Sequence, residues 1–183
     1  MVGNQDVGED RRSHGRATGV TVAFTIVGQG IAIVLLPWIV GRWLPEPSFG
    51  GPWRWAGLGL IVPGVAMVAD SFVRFVRQGR GTPAPIAPPD RLVVSGLYRR
   101  VRNPMYVGVL ATIIGEAVVW GRVAVLGHAA VLWLIFHLFV TLYEEPHLRR
   151  QFGPAYEAYR REVPRWIPRL RAAPAVASSP PIH

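Results

Sequence analysis

The 183-residue chain lacks cysteine and lysine, and it has little charge. Without cysteine it can form no disulfide framework, thiolate nucleophile, cysteine-ligated zinc site or iron–sulfur cluster. All 20 basic residues are arginine, only 17% of residues are charged and half are apolar, which is unusual for a soluble domain. A net charge of +9 on so apolar a chain predicts contact with anionic membrane lipid and not with nucleic acid.

Four apolar segments predict an all-α integral membrane bundle. Residues 18–40 include no Asp, Glu or Arg, and these 23 residues are enough to cross a hydrocarbon core of about 30 Å. Residues 55–73 form the second segment, in which Pro63 predicts a kink and Gly57 and Gly59 predict close helix packing. The third and fourth segments, 104–121 and 123–143, adjoin at Gly121 and Arg122 and predict a tight antiparallel hairpin.

Arginine is distributed unequally between the two ends of these segments. Arg42, Arg54 and Arg122 fall on one side and the other 17 on the opposite side, so the positive-inside rule predicts that both termini are cytoplasmic. Five tryptophans mark the predicted outer interface: Trp38, Trp43, Trp53, Trp55 and Trp120. We predict a disordered tail over 1–16, a transmembrane hairpin over 17–73, a region with the polar chemistry over 74–171 and a disordered tail over 172–183.

Two polar blocks on the cytoplasmic side, residues 95–108 and 142–168, are predicted to meet. Tyr106 lies fourteen residues below one side of the hairpin turn and His137 fourteen below the other, so the two are predicted to be level. Glu144 lies seven residues further, about 10 Å deeper, which places Glu144 and Glu145 at the depth of residues 98–103 if that segment continues downward. The same count puts Glu116 near His128 at the other end, and we interpret these two as a neutralising pair.

The blocks offer arginine donors for a carboxylate or phosphate, carboxylate acceptors for ribose hydroxyls or an amine, and tyrosine rings. These are Arg99, Arg100 and Arg102, then Glu144 and Glu145, then Tyr98, Tyr106 and Tyr143. Such a set suits a zwitterionic, adenine-bearing cofactor such as S-adenosylmethionine (SAM). The sequence has no Gly-rich phosphate loop or Rossmann pattern, so a binder of this kind would not use a soluble methyltransferase fold.

A cytoplasmic amphipathic helix is predicted after the fourth segment. Phe152, Tyr156, Tyr159 and Trp166 occur at helical spacing and are predicted to pack this helix onto the site as a lid. Glu144 and Glu145, adjacent carboxylates at a membrane boundary, are unfavourable unless they have partners. We therefore interpret these two as functional.

An ordered set of residues in the two blocks resembles the isoprenylcysteine carboxyl methyltransferase family. The set comprises Gly96, Tyr98, Arg102, Asn103, Pro104, Met105, Tyr106, Gly108, Glu144, Glu145, Leu148, Phe152, Gly153, Tyr156, Tyr159, Val163 and Pro164. The Asn-Pro-Met-Tyr and Tyr-Glu-Glu-Pro pieces also resemble the related phospholipid N-methyltransferases. The resemblance covers residues 90–168, and acceptor identity is expected to depend on the unmatched N-terminal part.

The resemblance implies an integral membrane methyltransferase that takes SAM from the cytoplasm and methylates a lipid-like or prenylated carboxylate at the cytoplasmic leaflet. It implies that the cofactor pocket is lined by Tyr98, Arg102, Asn103, Pro104, Tyr106, Glu144 and Glu145. We predict Arg102, Tyr106 and Glu144 as catalytic residues, His137 as an acceptor contact, and no metal ion. Asn103 stands where many relatives carry histidine, so an imidazole role is not expected there.

Three other functions stay open. The first is phospholipid amine N-methylation, which needs a base, for which Glu144, Glu145 and His147 are candidates. The second is a non-catalytic membrane binding protein. The third is an NADPH-dependent membrane reductase, because some sterol reductases look similar in this C-terminal region.

Overall fold

The computed structural model describes residues 28, 30–43, 51–74, 92 and 94–173. Every regular element in these residues is helical, which confirms the predicted class. The tail at 1–16 and residues 18–27 of the first apolar segment lie outside the described residues, as does 174–183 of the second tail. Ala173 is buried, so the packed structure extends two residues into the segment predicted as a tail.

Five α-helices form the fold of the described residues. The helices are α1, Leu36–Trp43; α2, Trp53–Arg74; α3, Pro104–Trp120; α4, Val123–Phe139; and α5, Glu145–Glu162. A π-helical turn, Ile31–Leu35, precedes α1, and a 3-10 turn, Gly96–Arg99, precedes α3. A second π-helical turn, Val140–Glu144, joins α4 to α5. The predicted second, third and fourth segments match α2, α3 and α4 closely.

Within the part of the chain that the structure describes, two helical stretches are long and apolar enough to cross a membrane. They are Trp53–Arg74 and the continuous stretch Val123–Glu162, whereas Ile31–Trp43 and Pro104–Trp120 are apolar but shorter. Large apolar side chains on α2 and α4, such as Trp55, Val62 and Ile135, are exposed. An apolar outer surface of this kind is typical of helices covered by lipid. Four passes and cytoplasmic termini stay predictions.

Helices α2 and α3 pack through glycine at heptad spacing. Gly57 faces Gly115 and Gly64 faces Gly108, and a Cβ atom on any of the four would lie 2.6 to 2.8 Å from the partner's carbonyl oxygen. The buried residues of α2 are Gly57, Gly64 and Ser71, each seven residues from the next. A seven-residue repeat of small residues is typical of a left-handed helix pair in close backbone contact.

Gly59 does not take part in this packing, although it was predicted to do so with Gly57. A Cβ atom at Gly59 would meet nothing within 4 Å among the described residues. The reason is angular, because two residues along a helix is a rotation of about 200° and carries Gly59 to the opposite face. Helix α2 continues through Pro63, and the carbonyl that Pro63 leaves without a helical partner is that of Gly59.

The turn between α3 and α4 confirms the predicted hairpin. Gly121 has φ 66°, which closes α3 in the left-handed conformation. The predicted Glu116–His128 pair does not form: His128 Nε2 lies 3.3 Å from the Ala32 carbonyl oxygen, and Glu116 Oε2 is buried without a hydrogen-bond partner among the described residues. Ala117 packs in the α3–α4 core, and its neighbour Glu116 is turned away by about 100°.

Helix α5 packs back onto the chain that precedes α3. Its buried side chains Phe152, Tyr156 and Tyr159 form one cluster with Val163 and Ala173. This confirms the predicted packing for three of the four aromatic residues, whereas Trp166 lies beyond the end of α5 at Glu162 and stacks on His137. Gly153 interrupts the helix with φ 50° and ψ −124°, so α5 is kinked after its second turn.

Candidate active site

Glu144 and Glu145 lie at the junction between the α3–α4 hairpin and α5. Glu144 is the last residue of the π-helical turn and Glu145 the first residue of α5. Successive helical residues are about 100° apart, so the two carboxylates face different partners. Single π-helical turns inside longer helices are frequent at functional sites.

Glu145 accepts hydrogen bonds from two arginines. Its Oε1 lies 2.9 Å from Arg102 Nη1 and 2.7 Å from Arg165 Nε, and its Oε2 lies 2.9 Å from Arg165 Nη2. The exposed fraction is 6% for the Glu145 side chain, 10% for Arg102 and 29% for Arg165. One carboxylate thus balances two guanidinium groups, and the cluster keeps one net positive charge.

Glu144 faces Tyr106 instead. The Tyr106 hydroxyl donates to Glu144 Oε2 over 3.3 Å, and the Tyr106 ring stacks on Phe136 with 4.5 Å between ring centroids. The predicted depths are therefore correct to one residue, since the neighbour of Tyr106 on α4 is Phe136 and not His137. The bond to Tyr106 uses one acceptor position of Glu144, and a carboxylate has about four.

Tyr98 is buried beneath α5. The ring is buried, and its backbone carbonyl accepts a 2.8 Å hydrogen bond from the Tyr159 hydroxyl of α5. Burial, reinforced by the negative charge of Glu144, raises the pKa of the Tyr98 phenol well above its ordinary value. The phenol is therefore neutral at physiological pH and presents an uncharged ring.

The chain after α5 folds across residues 99–103. The amides of Arg102, Arg169 and Ala173 donate to the carbonyls of Pro164, Arg100 and Arg99 respectively, over 2.8 to 3.0 Å. Asn103 Nδ2 donates to the Arg165 carbonyl over 3.2 Å. We call residues 164–173 the return segment. The return segment places Arg165 in contact with Glu145. The sequence predicted no role for Arg165.

His137 lies in an aromatic stack beside this cluster. Its ring centroid is 5.2 Å from Trp133 and 6.2 Å from Trp166 of the return segment. His137 Nδ1, Trp166 Nε1 and Arg102 Nε are all buried without a hydrogen-bond partner in the described part of the chain. Buried polar nitrogens normally have partners, so three such atoms in one region indicate a place for a polar ligand.

The family model described as phospholipid methyltransferase matches residues 53–155. This match covers more than half of the chain. The chain belongs to the phospholipid methyltransferase family. The match includes Tyr98, Arg102, Tyr106, Glu144 and Glu145, whereas Arg165 lies beyond it.

Curated relatives of this family member carry a more specific name. The chain is 41% identical over 78 residues to a protein-S-isoprenylcysteine O-methyltransferase of Schizosaccharomyces pombe, a match that covers 42% of this chain and 33% of the relative. It is 32% identical over 79 residues to protein-S-isoprenylcysteine O-methyltransferase B of Arabidopsis thaliana, covering 43% and 40% respectively. The matches thus span about two fifths or less of these relatives. No solved structure matches the chain significantly.

The predicted site residues of this family member divide into two groups by their contacts. Tyr106 and Glu144 bond to each other, and Arg102 and His137 each have a buried nitrogen without a partner among the described residues. Asn103, Pro104 and Glu145 are buried and have structural contacts. Asn103 and Glu145 bind the return segment, and Pro104 begins α3. Tyr143 is exposed and stacks on His147 and Phe139, away from this group.

Proposed function

We propose that this protein is an integral membrane methyltransferase that uses SAM and methylates a lipid-like or prenylated carboxylate at the cytoplasmic leaflet. The observation that carries the proposal is that the Tyr106–Glu144 pair and the Arg102–Glu145 pair meet at two adjacent carboxylates at one end of an apolar helical hairpin. The family match and the names of the relatives support the reaction class.

The residues present fit a zwitterionic methyl donor. Arg102 Nε is a buried donor with no partner in the described residues, and it suits a carboxylate. Glu144 keeps acceptor positions for an amine or a ribose hydroxyl, and the rings of Tyr98 and Tyr106 suit a sulfonium. Bound SAM would supply an electrophilic methyl group. Glu145, Asn103 and Pro104 would act by positioning these groups.

For a carboxylate acceptor the protein needs alignment more than it needs a base. A carboxylate is already a nucleophile at neutral pH, and holding the reactants in line can supply about 7–11 kcal/mol. His137 and Trp166 have ring nitrogens without a partner in the described region, and we assign these to the acceptor's carboxylate. The exposed apolar face of α4 would take the acceptor's hydrocarbon chain.

The test is methyl transfer by the purified full chain in liposomes with radiolabelled SAM. Two acceptors are offered, an S-farnesyl N-acetylcysteine and phosphatidylethanolamine. We expect label on the prenylcysteine that base releases as methanol, because esters are base-labile. Glu144→Gln should abolish transfer, whereas the matched control Glu157→Gln, which removes a partly exposed carboxylate from α5, should retain it. Binding of NADPH without binding of SAM would overturn the proposal.

The second candidate is N-methylation of a phospholipid amine. The description of the matching family favours it, and Glu144 is the carboxylate available as a base beside Tyr106. The same experiment separates the two, since N-methyl groups on phosphatidylethanolamine survive base. Base-stable label on the lipid, with none on the prenylcysteine, would replace the first assignment by the second.

A further inference from the structure

Gly96 belongs to the residue set that carried the resemblance, and it begins the 3-10 turn that bears Tyr98. Its φ is 57°, a left-handed conformation that favours glycine. A Cβ atom at Gly96 would also overlap the guanidinium group of Arg74, the last residue of α2. The glycine therefore allows the Arg74 side chain to lie directly against the backbone at the start of this turn.

Two hydrogen bonds orient the Arg74 side chain. Its Nε donates to Asp70 Oδ2 over 2.7 Å, one helical turn back on α2, and its Nη1 donates to the Ser95 hydroxyl oxygen over 3.4 Å. The side chains of Arg74 and Asp70 are about one-third exposed, so water screens the ion pair in part. The pair sets the direction of the guanidinium group, and the contact with Gly96 joins α2 to the turn.

The same end of α2 lies beside Tyr98. Ser71 is fully buried, is the last member of the seven-residue repeat that packs α2 on α3, and lies next to the Tyr98 phenol. Asp70 and Arg74 are close enough for their charges to act on this phenol. Tyr98 is therefore contacted by α2 as well as by α5, whose Tyr159 binds its carbonyl oxygen.

We propose that Arg74 is a positioning residue of the methyl-donor pocket, which holds the Gly96–Arg99 turn so that the Tyr98 ring stays beside Glu144. The inference rests on the proposed function, in which the Tyr98 ring is matched to the sulfonium of SAM. The attraction between a cation and an aromatic ring requires the cation to lie over the ring face, so a tilted ring binds it less well. Arg74 does not touch the donor, and its effect on donor affinity passes through Tyr98.

The first test is a double-mutant cycle on SAM affinity, measured by calorimetry with the purified full chain in detergent. Arg74→Gln should weaken SAM binding about fivefold to tenfold, a coupling that residues in contact commonly show. In a Tyr98→Leu background the same change should alter the affinity less than about twofold, because the ring that Arg74 positions is gone. The matched control Arg149→Gln breaks an ion pair of comparable exposure on α5 and should leave SAM affinity unchanged in both backgrounds.

The second test is hydrogen exchange of residues 96–101 without any ligand, measured by mass spectrometry. The amides of Tyr98, Arg100 and Val101 donate to carbonyl oxygens within or just before this turn. Arg74→Gln should raise the exchange of this segment at least about threefold and leave α4 unchanged, because local opening depends on local contacts. Gly96→Ala, which displaces the Arg74 side chain, should do the same, and Arg149→Gln should not.

The outcomes separate this inference from the proposed function. Failure of the unaltered chain to bind SAM would overturn the proposed function and, with it, the donor-pocket role of Arg74. Unchanged exchange of residues 96–101 in Arg74→Gln would overturn the contact as the hold on this turn, whether or not SAM binds. Equal losses of SAM affinity in both backgrounds would overturn only the action through Tyr98. If Arg74→Gln unfolds in detergent, Arg74→Lys keeps a charge beside Asp70 without the planar guanidinium, and full SAM affinity in that variant would also overturn the inference.

Discussion

Replacement of Glu145 by glutamine should destabilise the protein more than any other loss of one carboxylate in α5. The change keeps the shape of the side chain but leaves Arg102 and Arg165 without their counter-charge. Removing one partner of a buried ion pair typically destabilises by about 3–5 kcal/mol. Arg102 is 10% exposed and bears the full effect, whereas Arg165 at 29% turns partly to water, so we expect the lower end, about 3 kcal/mol.

The assay for Glu145→Gln is thermal unfolding in one detergent at one scan rate. About 3 kcal/mol corresponds to a fall in Tm of about 6–12 °C for a chain of this size. Glu157→Gln is the control, because its pairs with Arg149 and Arg160 are partly exposed to water and contribute less than about 1 kcal/mol. Limited proteolysis should also cut the return segment, residues 164–173, earlier in the Glu145 variant. Equal Tm values for the two variants would refute the assignment of Glu145 as the residue that holds this segment.

Three further predictions follow from the contacts described above. Gly57→Leu should lower Tm, since its side chain would meet the Gly115 carbonyl, while Gly59→Leu should leave Tm unchanged; equal effects would contradict the heptad packing. Tyr106→Phe should lower SAM-dependent methyl transfer about threefold to tenfold without changing Tm by more than a few degrees, because one hydrogen bond to Glu144 is lost. Trp166→Phe should raise the KM for the acceptor and leave SAM affinity unchanged, as measured by calorimetry; weaker SAM binding would assign Trp166 to the cofactor instead.

The helices were predictable because their signals are local or periodic. A run of apolar residues, a Gly-Arg turn and a count from that turn were enough to bring Tyr106 beside α4 and Glu145 beside Arg102. The packing face of α2 was only half predictable. Gly57 and Gly59 look equally small in the sequence, and the seven-residue spacing to Gly64 and Ser71 is what distinguishes the buried one.

The predictions that failed concern side-chain direction. Glu116 and His128 are close in depth, yet depth along a helix does not fix the angle around it, and Glu116 is rotated out of the α3–α4 core. Arg165 was missed for a different reason. Its partner lies 20 residues back in the chain, across the kink in α5, and no periodicity relates the two. The signal that was available is its position directly after Val163 and Pro164, in the set of residues that carried the resemblance.

The ion pairs of Glu145 have a consequence for the order in which the protein assembles. One partner, Arg102, precedes Glu145 by 43 residues and the other, Arg165, follows it by 20. The loop closed by the pair with Arg165 is about half as long as the loop closed by the pair with Arg102, so its closure costs less conformational entropy. The return segment can therefore attach to the start of α5 before the chain ahead of α3 joins them. The pair with Arg102 then completes the cluster.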